Sequence, residues 1–231
     1  MNDVSTGPGS AEIKPFAQFI EAFKKQLHQL FYVRSDINRL SVQRGLPPFM
    51  LREIMSSNPL ATYIPQEYGG RGGHIHEGLA LAAAASYESL PLSLGFGINW
   101  ALFLQPVGKY AVDEIKPQIF NGFLKDRKMG GLMITEPGHG SDALHMQSSY
   151  QQQGERYHIE GLKHWAGLTG WADYWLLTAR KKTDNGKLLR DIDFFICDVT
   201  APDQNICVEE FYENLGIYMP VSYTHLTLPT N

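Results

Sequence analysis

The chain has 231 residues, 43% hydrophobic and 19% charged, with 22 Gly and 13 Pro; this admits one or two domains and excludes disordered, collagen-like and coiled-coil classes. Its net charge is −4 with acids and bases interleaved, so no basic footprint points to nucleic acid or to an anionic membrane. Two cysteines, Cys197 and Cys207, with no signal peptide recognised, read as free thiols in a reducing compartment. No run of 18 or more apolar residues occurs, because Leu79 to Trp100 is broken by Glu88, Pro91 and Gly95. The expectation is a cytoplasmic protein without a membrane span.

Met1 to Ser10 is small and polar and reads as a disordered lead-in with Ser10 as N-cap. Ile13, Phe16, Phe19, Ile20, Phe23, Leu27, Leu30 and Phe31 then recur at steps of three and four, with Glu21, Lys24 and Lys25 on the other face. That period predicts a core-facing helix. Pro47-Pro48 opens a short helix over Phe49 to Ser56, closed by Asn58-Pro59. Ala61 to Gly73, carrying Ile64-Pro65-Gln66-Glu67-Tyr68-Gly69-Gly70, reads as a loop, and the Ala- and Leu-rich His76 to Ser89 as a tightly packed helix. Further helices are expected over Ile98 to Tyr110 and from about Asp113 to Asp126, with Pro117 tolerated near the first turn. At Gly130 the period changes. Gly131 to Thr135, Leu144 to Gln151, Arg156 to Lys163, Tyr174 to Arg180, Asp191 to Val199 and Ile206 to Phe211 read as short strands between Gly, Asn or Asp turns. Helices followed by strands indicate an α+β fold, with an all-α domain over 11–129 and a β domain over 130–220, not alternating βαβ units.

Two stretches stand out chemically. Thr135-Glu136-Pro137-Gly138-His139-Gly140-Ser141-Asp142 follows an apolar strand. Its glycines let backbone N–H groups approach a ligand, and Thr135 and Ser141 add hydroxyls, suited to a phosphate or the polar edge of a flat cofactor; equally, such a segment is a common turn. Gly138-x-Gly140-x-x-Ala143 mimics a dinucleotide fingerprint, but the βαβ unit it needs is missing, so a Rossmann reductase is the lesser alternative. The second stretch is Gly161-Leu162-Lys163-His164-Trp165-Ala166-Gly167, in a region holding Trp165, Trp171 and Trp175, three of the four tryptophans. An indole there either stacks on a planar ring or fills a core. His74 and His76 lack a third ligand at metal spacing, so no metal site is assigned. His139, His145, His158 and His164 have no Gly-x-Ser-x-Gly nucleophile to serve, and no phosphate-binding Walker loop occurs.

Ile64 to Gly72, Thr135 to Asp142, Gly161 to Trp165 and Ala172-Asp173 come in the order and approximate spacing of the acyl-CoA dehydrogenase family, which the chain resembles over roughly Ile13 to Pro220. The resemblance implies an N-terminal helical domain and a β-barrel or sandwich-like middle domain. It also implies FAD as cofactor, and α,β-dehydrogenation of an acyl-CoA thioester with hydride passing to flavin N5. Leu132, Ile134, Thr135, Gly140, Ser141, Trp165, Ala166 and Gly167 would bind the cofactor, Thr135 by hydrogen bonding and Trp165 by packing. Ser141 would also touch the substrate's thioester or pantetheine arm.

The electron acceptor implied is an electron-transferring flavoprotein, and the assembly a homo-oligomer. Ala166-Gly167 replaces a hydroxyl-bearing residue common in the family and resembles the acyl-CoA oxidases, for which the acceptor is O₂. Leu132 stands where an aromatic is frequent, and His139 where a small residue is. The family's base is a glutamate in a C-terminal helical domain, so no carboxylate here is nominated. The chain as given is expected to be inactive alone, or a non-catalytic flavin- or acyl-CoA-binding fragment. Leu215-Gly216-Ile217 matches a late β-domain strand. Val221 to Asn231 resembles translated adapter read-through and is expected to be non-native, its Thr-rich alternation with Pro229 also permitting an edge strand. Asn99, Phe103 and Leu104 are candidates for an acyl-chain wall or for plain core.

Overall fold

The computed structural model describes residues 15–41, 46–202, 204, 206–212 and 221–230, the last segment by its backbone alone. The lead-in to Ser10, Ile13 and the Leu215 to Ile217 strand lie outside these.

Helix α1 (Phe16–His28) starts directly after Pro15, whose fixed φ suits the entry to a helix, and buries Ile20, Phe23 and Leu27. Its last turn widens to π geometry over Gln29–Val33, burying Leu30 and Phe31. A short α2 (Ile37–Ser41) follows. Helix α3 (Pro48–Ser56) takes its proline in the first turn, where no backbone donor is lost. The expected loop over 61–73 contains two short 3₁₀ turns, Pro59–Tyr63 and Gln66–Tyr68, and folds back on itself through Arg71 N–H to Ala61 O at 2.8 Å. The Arg71 guanidinium covers the rings of Phe16 and Phe19 at 5.4 and 5.1 Å and lies 3.5 Å from Glu77, so this glycine-rich motif pins the loop to α1.

Helix α4 spans Ile75–Glu88, and α5 runs the 21 residues Leu90–Tyr110. The expectation began α5 eight residues too late. Pro91 falls in its first turn and Ser89 caps it by accepting the Leu92 N–H at 3.4 Å, so the proline starts the helix rather than interrupting it. By length and composition α5 alone, among the described helices, is apolar enough to cross a membrane. Leu92, Phe96, Phe103, Leu104 and Val107 are spent instead on the interior. Helix α6 (Lys116–Lys125) completes the helical half.

The β half is one seven-stranded sheet: β1 (Gly130–Met133), β2 (Ser149–Gln153), β3 (Arg156–Gly167), β4 (Tyr174–Lys182), β5 (Leu188–Asp198), β6 (Ile206–Phe211) and β7 (Val221–Thr230). Its order is β1-β4-β2-β3-β7-β6, with β5 also on β4; β4 runs parallel to β1 and β2 and antiparallel to β5. The strand expected from Leu144 begins only at Ser149. His145 and Met146 give their N–H groups to Asp142 and Ala143 in a tight turn, which removes the donors a ladder needs. The segment expected to be non-native takes the strand conformation its alternation permits, lying between β3 and β6 and not at an edge. Pro229 pairs with His158 beyond the last residues that β6 reaches, so its missing donor interrupts only one ladder.

Two apolar clusters form the interior. One is built on the helices but also takes Tyr174 and Leu176 from β4; the other lies in the sheet around Met133, Ile159, Leu177 and Cys197. The join is hydrogen-bonded on several sides. Asn99 Nδ2 donates to Gly95 O at 2.8 Å while its Oδ1 accepts the Gly130 N–H at 2.8 Å, and Asp173 Oδ2 accepts the Met129 N–H at 2.9 Å. Lys128 Nζ reaches Asp198 Oδ2 at 2.9 Å and Thr200 Oγ1 at 3.3 Å.

Candidate functional site

β1 ends at Met133, and the next residues leave the sheet. Ile134 and Thr135 are half-buried, Glu136 is buried, and the chain turns at once, His139 N–H returning to Glu136 O at 3.1 Å. Gly138, Gly140, Ser141 and Asp142 are exposed. A Cβ added at Gly138 or Gly140 meets nothing within 4 Å, and neither residue has a positive φ. The fold therefore leaves both positions open, and glycine there is required only by something lying against the loop. Asp142 Oδ1 lies 2.6 Å from His145 Nδ1 and Asp142 Oδ2 lies 4.0 Å from His139 Nδ1, so both neighbouring imidazoles bear on this carboxylate.

The second stretch lies on β3. Between Lys163 and Ala166 the register with β7 shifts, so two residues intervene between inward-facing positions. Lys163 and Ala166 are buried at 0% and 1% exposure, whereas Trp165 sits at φ 58° with 54% of its surface exposed. A left-handed backbone is uncommon for a bulky residue, and a bulge beside a site commonly serves to re-aim a side chain. The indole ring contacts His164 and Tyr212, centroids 5.0 and 4.9 Å away.

The two stretches meet. His164 donates its backbone N–H to Thr135 O at 2.8 Å, setting the residue before Trp165 beside Thr135. Beneath them, Lys163 Nζ lies 3.1 Å from Glu136 Oε1, 3.2 Å from Thr178 Oγ1 and 3.3 Å from Ile134 O. Glu136 also accepts the backbone N–H groups of Gln147 at 2.5 Å and Ser148 at 2.8 Å. Burial alone would raise the Glu136 carboxyl, but these hydrogen bonds and the Lys163 charge outweigh it and hold it below the usual carboxylate value. Burial lowers the Lys163 ammonium, with Glu136 opposing.

Of the expected cofactor residues, Thr135, Gly140, Ser141 and Trp165 therefore lie on two adjoining exposed or half-exposed segments. Leu132 is half-buried on β1, level with Leu176 of β4. Ile134 gives its carbonyl to Lys163, Ala166 is interior, and Gly167 ends β3. Asn99, Phe103 and Leu104 are buried in the interior, in keeping with the core alternative. Phe103 is fully buried, stacked 5.6 Å from Phe123 and 6.1 Å from Tyr174, and it lies against Gly130. Trp175 is likewise interior, against Gly131, while Trp171 packs on Gly95 of α5. Among the described residues no group of three or more His, Cys, Asp and Glu side chains is placed to hold a metal ion.

Sequence reasoning gave no role to Glu136, Lys163, His164 or Asp173, although each lay within a quoted motif. The available signal was a lysine at an inward position of an alternating strand, which requires a buried carboxylate elsewhere.

Residues 131–227 match the family profile described as "Acyl-CoA dehydrogenase, middle domain". A probable medium-chain specific acyl-CoA dehydrogenase 2, mitochondrial, from Caenorhabditis briggsae is 29% identical over 142 residues, which cover 60% of this chain and 35% of the worm protein. Butyryl-CoA dehydrogenase from Megasphaera elsdenii superposes with a TM-score of 0.77 at 16% identity, over 99% of this chain and 58% of that one. An acyl-CoA dehydrogenase complexed with FAD from Bacillus anthracis gives 0.75 at 18% identity, over 96% of this chain and 36% of that one. The chain thus spans well under two thirds of these relatives. Residues 131–227 thus resemble the middle domain of the acyl-CoA dehydrogenases, and the helical half followed by the sheet half shares its fold with these solved structures.

Proposed function

We propose that the protein carrying this chain is an FAD-dependent acyl-CoA dehydrogenase, with the 132–141 and 165–167 segments lining the flavin. The observation that carries this reading is the Thr135–His164 backbone bond, which sets a half-buried hydroxyl residue beside an outward indole. The surface suits such a cofactor. Thr135 and Ser141 match the polar edge of an isoalloxazine ring, Trp165 offers a flat apolar face, and the open positions at Gly138 and Gly140 admit a close ligand. Bound flavin supplies an acceptor for the hydride leaving the acyl β-carbon. The chain's own residues bind and orient: Thr135 by hydrogen bonding, Trp165 by covering the ring and excluding water, Ser141 by holding the acyl-CoA arm.

The acids of the turn are poor candidates for the base that removes the α-proton. Glu136 is buried with both oxygens engaged, and Asp142 is paired with His145. We assign the base to a glutamate outside these 231 residues, and the 231-residue chain alone is inactive in this reading. The acceptor is an electron-transferring flavoprotein. The second reading, an oxidase using O₂, is favoured by Ala166-Gly167, which leaves no side-chain hydroxyl at that point of the site.

Anaerobic addition of an acyl-CoA to flavin-loaded protein tests the reading, with bleaching of the flavin absorbance expected. A fully loaded protein that stays oxidised with every acyl length offered would overturn it. Reoxidation by air against reoxidation by an electron-transferring flavoprotein separates the two acceptors. Turnover by residues 1–231 alone would show that the base lies within them.

A further inference from the structure

We infer that Lys163 is the positioning residue of the Thr135 face, fixing Met133 to Glu136 from inside the sheet. The flavin reading supplies only the purpose of that face; the clamp itself rests on the contacts. Met133 ends β1, and the carbonyls of Ile134 and Thr135 lie past the strand, where each buried one needs another donor. The donors to the Met133, Ile134 and Thr135 carbonyls come from β3 and β4. Met133 O accepts from Thr178 Oγ1 at 3.2 Å, and that hydroxyl in turn accepts from Lys163 Nζ. Ile134 O accepts from Lys163 directly, Thr135 O accepts from the amide following Lys163, and Glu136 is held by its carboxylate. Met133, Ile134, Thr135 and Glu136 are thus tied in succession to one ammonium, its hydroxyl partner and its neighbouring amide. Through Glu136 the same group also gathers the Gln147 and Ser148 amides, which close the far side of the turn.

Energetics favour a positional role over one in stability. Lys163 has no exposed surface, and the Glu136 side chain is 5% exposed. Well-packed apolar residues commonly replace such a pair at little or no cost in stability. A methionine at 163 would fill the volume but leave the Ile134 and Glu136 acceptors without their donor.

The experiment compares the 231-residue chain with the double variant Lys163→Met/Glu136→Gln, in which no charge is left unpaired. Amide hydrogen exchange is read residue by residue without flavin. The expected result is a folded double variant whose His164, Gln147 and Ser148 amides exchange at least about tenfold faster, while Leu176 and Leu177 in the same sheet are unchanged. Unchanged exchange at the first three amides would overturn the clamp. Should the double variant not fold, Thr178→Val removes the hydroxyl relay alone. A selective rise of about threefold at His164 is then expected, and none overturns the proposal. In a second arm, protein loaded with FAD should show a shifted flavin absorption band and faster FAD release in the double variant. If the longer protein carrying this chain takes up no FAD, the flavin reading falls and the exchange result stands.

Discussion

At Gly138 and Gly140 the fold and the ligand make different demands. Neither glycine has a positive φ or a neighbour that a methyl group would strike, so alanine should leave the unfolding free energy unchanged or raise it, by about 0.4–1 kcal/mol at most. Flavin or acyl-CoA affinity should fall by tenfold or more for Gly140→Ala if backbone approach is the reason for glycine. Equal affinity would assign these glycines to chance. The cysteines give a second test. Burial pushes the Cys197 thiol up to about 12, while Cys207 is exposed. Iodoacetamide at pH 8 should therefore modify Cys207 alone in native protein, as read by peptide mass spectrometry, and Cys197 only after denaturation. Trp165 marks where residue-level reading stopped. Its motif was visible, but its outward direction depends on a bulge, and a single extra residue inverts the alternation from which inward and outward positions are read.

At the scale of elements, periodicity located most helices and strands, and its errors lie where backbone hydrogen bonding decided. Leu90 to Gly97 went unrecognised because Pro91 reads as a breaker in the middle of a segment and as an initiator at its start. Leu144 to Ser148 alternates like a strand, yet spends its donors on a turn and on Glu136. Helix α5 shows what such contacts contribute. Asn99 is fully buried and ties the π-wound middle of α5 to the first residue of β1. Asn99→Ala leaves the Gly130 N–H without its partner and should cost about 2–3 kcal/mol in denaturant unfolding. Phe103→Ala should cost about 3–5 kcal/mol, because the ring fills the space between Phe123, Tyr174 and Gly130. Neither substitution should alter acyl-length preference; a changed preference for Phe103→Ala would restore the acyl-wall role.

Over the whole molecule, stability should fall steeply in acid. Glu136 has a lowered pKa in the folded state, so its contribution is complete above its unfolded value of about 4.3 and is lost as pH falls through the folded one. Asp198, where burial is outweighed by Lys128 and Thr200, has the same sign; Asp173, raised by burial, has the opposite one. Melting temperatures should change little between pH 7 and 5 from these groups and drop below about pH 4. Glu136→Gln should lower the plateau and flatten the acid limb, and an unaltered limb would show that Glu136 does not govern it. The order of helical and sheet halves was legible because the period of the apolar residues changes at Gly130. Their fusion was not, because nothing local reveals that Tyr174 and Leu176 of a strand sit in the helical core or that Asp173 holds Met129. That shared interior bears on how the molecule comes apart. A protease cutting near Arg127, which sits at φ 59° on the connection between the halves, would leave two pieces still joined by buried aromatic contacts and by Asn99. The nicked protein should elute as one particle in native gel filtration and separate only in denaturant.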